Sequence, residues 1–190
     1  MTALTYQRAQ EILHQYCREP HLRLHALAVS AAMGAMADHY GADRDHWRAI
    51  GYVHDVDYEQ YPEAHLQHTR RILEQARVDE ADINAVLAHG WGICTEVEPR
   101  DELAKSLYTV DELTGIIMAA GLMRPTGIAD LEVGSAAKKF KDKRFAAKCD
   151  REIIRKGCDM LGLELNQVIG LVIAGMQTEM EALGLAPKQA

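Results

Sequence analysis

One hundred and ninety residues suit one domain with a sizeable core, and 48% hydrophobic against 26% charged residues is an ordinary globular balance. A net charge of −7 argues against holding a nucleic-acid backbone by general attraction, and no apolar run approaches the ~20 residues of a membrane span. Cys17, Cys94, Cys149 and Cys158 form no C-x-x-C pair, and the first residues hold no signal-peptide apolar region. The expectation is reduced thiols in a cytoplasmic protein, with neither a disulfide framework nor a cysteine zinc site.

The periodicity is helical from end to end. Tyr6, Ala9, Ile12, Leu13 and Tyr16 make one face of a helix from the N-cap Thr5 to Cys17, closed by Pro20. A second helix runs from His21 to Tyr40, with Leu24, Leu27, Ala28, Ala31 and Ala35 inward and Gly41 as its stop. Asp43 caps a third, which ends at His54-Asp55. Pro62 opens a fourth, reaching about Gln75, and Asp79 to His89 makes a fifth, broken by Gly90-Trp91-Gly92. After Pro99 a long helix carries Leu103, Leu107, Val110, Leu113, Ile116 and Ile117. Residues 123–134 read as a loop, Ser135 to Lys148 as a short basic helix, and Arg151–Leu161 and Asn166–Leu183 as two more helices. No alternating run is long enough for a sheet, and there are no repeats and no linker. The expected fold is one all-α domain over residues 1–190.

His54-Asp55 is hard to account for by packing. Two adjacent polar side chains at the end of a buried helix both need partners, and a metal ion supplies one partner to both. His25 lies on the apolar face of the second helix, where a histidine is ordinarily a hydrogen-bonded core residue. Asp111 interrupts the run from Leu107 to Leu113, where a capping or salt-bridge role is the simplest one. Taken together, His25, His54, Asp55 and Asp111 offer two nitrogens and two oxygens to one ion with room for water, an open and catalytic type of coordination.

The order His25, His54-Asp55, Asp111 on successive helices resembles the HD-domain superfamily of metal-dependent phosphohydrolases, over about His25 to Gly115. The resemblance implies a compact helical bundle with the metal-site core at about 21–117, the helices of 135–183 packed on it, and these four residues as the metal ligands. His65 begins His-x-x-x-Thr-x-x-x-Leu, similar to a family segment with glycine at Thr69, and His89 stands where members with two metals place another ligand. The pair is open between a second ion, a phosphate contact and hydrogen-bonding pocket walls. One divalent ion (Mn, Fe, Co, Ni, Zn or Mg) is expected, with a second as the alternative. His68 is expected at the surface.

Departures from the family pattern also inform. His-Asp-Val-Asp-Tyr replaces the Lys- or Glu-containing continuations, so a mechanism needing Lys or Glu at position 58 is closed, and Asp57 or Glu59 is left as acid or supporting carboxylate. No Gly-Tyr-Pro signature is present, which disfavours a cyclic-dinucleotide phosphodiesterase, and the sequence has no obvious nucleotidyl-synthetase partner domain of the stringent-response kind. The basic run Lys138-Lys139-Phe140-Lys141 with Lys143 and Arg144 resembles one in stand-alone bacterial HD proteins. It is either a solvated face or a lid whose Lys138 and Lys141 meet substrate phosphate. Trp91 either stacks a ring of the substrate or covers the core edge.

The expected activity is metal-dependent hydrolysis, by phosphomonoesterase or phosphodiesterase chemistry, of a small phosphorylated metabolite or nucleotide. The ion lowers the pKa of bound water from about 16 towards neutrality, with Asp55 and Asp57 catalytic and His65, His89, Lys138 and Lys141 on the phosphate. A di-iron oxygenase of the same fold and a non-catalytic nucleotide sensor are the alternatives. Nucleic acid and membrane are not expected partners.

Overall fold

Helix α2 (Pro20–Tyr40) is buried from Ala26 to Ala37 apart from Leu27, and most of those buried residues are Ala, Ser or Gly. Small side chains there let neighbouring backbones approach closely. A Cβ on Gly51 of α3 (Arg44–Val53) would stand 2.9 Å from the Met33 side chain and 3.0 Å from the Ser30 backbone. A Cβ on Gly175 of α9 (Leu165–Gln177) would stand 2.4 Å from the Ala31 carbonyl oxygen. Helices α3 and α9 therefore lie directly on α2, which also packs on α6 (Glu102–Leu122). His25 on α2 and the end of α3 are brought side by side by this close contact.

This computed structural model describes residues 4–188; residues 1–3 and 189–190 of the expected domain lie outside the described residues. The remaining helices are α1 (Tyr6–Tyr16), α4 (Thr69–Gln75), α5 (Glu80–Leu87), α7 (Val133–Lys141) and α8 (Arg151–Leu161). Among the described residues there is no strand, and the all-α expectation holds. One hydrophobic cluster draws on every helix, from Leu4 to Leu185. The caps read from sequence are present: Thr5 accepts from the Arg8 N–H, Asp43 from the His46 N–H, and Gly41 closes α2 in the left-handed conformation. No single helix among the described residues is long and apolar enough to cross a membrane.

Three expected helices are shorter than their periodicity implies. The segment after Pro62 forms one 3-10 turn, Pro62–Ala64, and α4 starts only at Thr69, because Leu66 between them takes φ +67°. The basic helix ends at Lys141 rather than Lys148. Beyond it the chain turns around Arg151, whose buried guanidinium donates to the carbonyls of Ala146 and Cys149 (2.7 Å each), Asp142 (3.2 Å) and Phe145. The last helix ends at Gln177, and the chain then folds back so that the Leu185 carbonyl accepts from the Ile128 N–H at 2.9 Å. Gly127 makes this approach possible, since a Cβ there would lie 1.8 Å from the Leu185 carbonyl oxygen.

Distant from this turn, His46 Nε2 donates to Asp82 Oδ1 at 2.8 Å and ties α3 to α5. The Asp82 hydrogen bond raises the His46 pKa above its ordinary value of 6.5, against the opposing effect of burial. The folded state therefore binds this proton more tightly than the unfolded chain. The stabilisation is full below pH 6.5 and is lost as pH rises through the raised value. We predict that His46→Gln lowers the melting temperature by a few degrees at pH 5.5–6 and by less at pH 9. An equal loss at every pH in a melting series would contradict the assignment.

Candidate metal centre

Five separate pieces of chain aim polar atoms at one point. His25 comes from α2, His54 and Asp55 from the end of α3, His65 from the turn before α4, His89 from a 3-10 turn, Ala88–Gly90, that ends α5, and Asp111 from the middle of α6. His54 is fully buried, and its Nδ1 donates back to the Gly51 carbonyl at 2.8 Å. His89 repeats the arrangement, its Nδ1 donating to the Val86 carbonyl at 2.6 Å. The ring of each thus reaches back over its own turn and leaves Nε2 pointing into the centre.

Asp55 divides the cluster. Its Oδ2 lies 3.3 Å from His54 Nε2 and 3.6 Å from His25 Nε2, and on the same side Asp111 Oδ1 lies 3.0 Å from His25 Nε2 and 3.5 Å from His54 Nε2. Its other oxygen, Oδ1, lies 3.3 Å from His65 Nε2 and 3.5 Å from His89 Nε2. Three groups of donor atoms, each within 4.8 Å of one another, arise from these residues: His25, His54 and Asp55; His54, His89 and Asp111; and Asp55, His65 and His89.

The donor set requires positive charge. His65 Nδ1 donates to Asp57 Oδ1 at 3.0 Å and His89 Nδ1 to Val86, so in both neutral rings Nε2 carries a lone pair. Those two nitrogens face each other at 3.3 Å, and His25 and His54 present their Nε2 atoms at 3.1 Å. The lone pairs of His65 and His89 so placed repel unless a proton or a metal cation lies between them, while His25 can turn its own Nε2 proton towards His54. Charge balance agrees. Burial disfavours an ionised Asp55, but the imidazoles, His54 first, hold its carboxyl well below the usual carboxylate range. Burial acts the same way on Asp111, and His54 and His25 outweigh it. In turn, burial lowers the pKa of His54 while Asp55 and Asp111 lift it well above that of a free imidazole. The residues fit a divalent ion, with nitrogen and oxygen donors and no thiolate among them.

Of the two places the sequence leaves open to Asp57, acid or supporting carboxylate, its contacts are those of the second. It is fully buried and accepts from His65 Nδ1, from the Leu66 N–H at 3.2 Å and from the His68 N–H at 3.1 Å. Burial pushes its pKa up, and these donors bring it below the ordinary value, so it stays a carboxylate. All three of these bonds are to the turn that carries His65, which makes it a positioning residue. It also holds Leu66 in the left-handed region, a conformation costing about 1–3 kcal/mol for a side chain with a Cβ. Leu66 packs where a Cβ on Gly90 would come within 2.4 Å of it, so Gly90 serves close packing as well as ending the helix. Glu59 is elsewhere, accepting from the Arg18 and Glu19 N–H groups between α1 and α2. His68, expected at the surface, is half-buried and stacked on Tyr61, ring centroids 3.8 Å apart.

A cavity of about 510 Å³ opens over the centre and includes His25, Asp55, His65, His89 and Asp111 in its walls. Lys138 is not there: it lines a separate cavity with Arg124 and Lys139, and Lys141 is exposed and lines neither. The expected placement of Lys138 and Lys141 over the centre is therefore not found, and the chain leaves helical geometry at Asp142 before reaching the cavity. The cation at the mouth is Lys148, delivered by the turn that Arg151 gathers. Glu112 also lines the cavity. Burial pushes its carboxyl up to about 7 despite the N–H of Asp150 at 2.9 Å. Burial raises the Cys149 thiol to about 11, so it is no nucleophile near neutral pH. Trp91 lies outside the cavity walls under Lys156, whose Nζ stands 3.4 Å from the ring centroid, and Tyr108 supplies an aromatic wall instead. Nothing in the local sequence marks Lys148 or Glu112. Their positions depend on Arg151 and on the turn of α6 next to Asp111.

Residues 23–115 match the family model described as HD domain. No curated protein and no solved structure matches the chain.

Because Asp57 fixes the ring of His65, Asp57→Asn should weaken divalent-metal binding on that side about 10–100-fold while the helical circular dichroism is retained. Calorimetric titration of metal-stripped protein with zinc reads this directly, and an unchanged isotherm would show that Asp57 does not position a ligand.

Proposed function

The chain belongs to the HD-domain superfamily, most of whose members are metal-dependent hydrolases, and from that premise we propose that it hydrolyses a small phosphorylated metabolite or nucleotide. The observation that carries this reading is the two-sided environment of Asp55. His25, His54, Asp111 and Asp55 Oδ2 would hold one ion, and His65, His89 and Asp55 Oδ1 a second. His65 and His89 thus act as ligands in this proposal, not as direct phosphate contacts. Four imidazoles to two carboxylates favour Mn, Fe, Co, Ni or Zn over Mg, which prefers oxygen donors.

Bound divalent ions supply water acidic enough to attack phosphorus near neutral pH and a positive field for the phosphate oxygens. The chain supplies the geometry. Asp55 spans both halves of the centre, the carbonyls of Gly51 and Val86 hold the Nδ1 protons of His54 and His89, and Asp57 does the same for His65. Lys148, exposed at the mouth, is placed to approach a phosphate oxygen that projects outward. We assign the activity to the cytoplasm, where the four free thiols would stay reduced.

The paired donor set also suits two irons, which makes an oxygenase the second reading; oxygen uptake by iron-loaded protein separates it from the hydrolase. The principal test is Asp55→Ala, which removes the carboxylate common to both sides. After desalting, its metal content should fall below about a tenth of the parent's, with phosphate release at background and the helical signal kept. Full metal occupancy by elemental analysis would overturn the ligand assignment.

A further inference from the structure

We infer that the substrate is the phosphate monoester of an apolar alcohol, in preference to a nucleoside polyphosphate or a sugar phosphate; the inference rests on the hydrolase reading above. Four large hydrophobic side chains are exposed among the described residues, and two of them, Tyr58 (40%) and Ile93 (68%), line the cavity over the metal centre. Leu22, Tyr108 and Ile153 extend this apolar wall. These five residues come from five different stretches: the turn after α3, the loop after α5, and helices α2, α6 and α8. Tyr58 and Ile93 are exposed, Leu22 is half-buried, and Tyr108 and Ile153 are buried behind them, so an apolar wall backed by the core is left partly open beside the polar centre.

The polar side of the wall is as informative. Among the described residues, no Arg, Ser, Thr, Asn or Gln lines the cavity. A sugar would bring several hydroxyl groups needing hydrogen-bond partners once water is displaced, and among the described residues the neutral hydroxyls of the wall are those of Tyr58 and Tyr108 alone. A triphosphate would bring outer phosphates needing cations. Beyond the centre the wall offers Lys148 and His21, together with the carboxyl of Glu112. One phosphoryl group over the centre, with an aliphatic or aromatic remainder against Leu22, Tyr58, Ile93, Tyr108 and Ile153, satisfies both sides of the wall.

The test joins binding with turnover. Zinc-loaded protein, whose metal has no redox chemistry, is titrated calorimetrically with methylphosphonate and hexylphosphonate, whose P–C bond resists hydrolysis. Each buried methylene should add about two- to fourfold, so hexylphosphonate should bind at least about thirtyfold more tightly. Ile93→Ser, at an exposed position where the fold tolerates change, should reduce that chain-length gain about threefold or more. In parallel, phosphate release by metal-loaded protein should give a higher kcat/KM for hexyl phosphate than for ATP or glucose 6-phosphate. Equal affinity for the two phosphonates, or faster turnover of ATP or the sugar phosphate, overturns the inference and leaves the hydrolase reading intact. Phosphate release from none of these esters with Mn, Fe, Co, Ni or Zn overturns the monoester assignment, whatever the phosphonates show, and the same silence on bis(4-nitrophenyl) phosphate, a diester, overturns the hydrolase reading with it.

Discussion

Four imidazole nitrogens and two carboxylates converge on a point where hydrogen bonding alone cannot satisfy them. Nδ1 of His54, His65 and His89 is already committed, to Gly51, Asp57 and Val86. The Nε2 atoms of His65 and His89 are therefore left as acceptors facing each other at 3.3 Å. Such a cluster is unfavourable by itself and becomes favourable with cations inside it. The surrounding fold serves to hold the donors together against that repulsion. The small residues of α2 bring α3 into backbone contact, which sets His25 beside His54, and the packing of α6 on α2 sets Asp111 opposite both.

One of the three left-handed non-glycine residues among the described residues lies where the second half of the centre is built. Leu66 takes a left-handed backbone, and the same carboxylate that stabilises it, Asp57, orients His65. The turn between residues 62 and 68 is therefore a device for presenting one imidazole. Gly90 lets that turn pack under the 3-10 turn that carries His89. On the opposite wall the buried guanidinium of Arg151 replaces two turns of expected helix with a loop. That loop puts Lys148 and Cys149 at the cavity mouth and leaves Lys138 and Lys141 away from it. The chemistry of the mouth is accordingly more apolar than the basic run in the sequence suggests.

The helices were legible because their signals are local: periodic apolar faces, with Thr5, Asp43 and Gly41 at the ends. His54-Asp55 was legible because packing alone rarely satisfies two adjacent polar residues at a buried helix end, and the order with His25 and Asp111 matched a known family. Two features could not be read. The break at Leu66 depends on Asp57, a hydrogen-bond partner nine residues away whose direction the sequence does not specify. The end of the basic helix depends on carbonyls gathered by Arg151, a residue that reads as the ordinary start of the next helix. In both places a side chain buried at a distance overrode a good local helical pattern.

The proposed two-ion centre depends on the two oxygens of Asp55 facing two cations. Anomalous diffraction from crystals soaked in manganese tests this directly. Two peaks are expected, one between Asp55 Oδ2 and the His25–His54 pair and one between Asp55 Oδ1 and the His65–His89 pair. A single peak, or none, contradicts the two-ion centre.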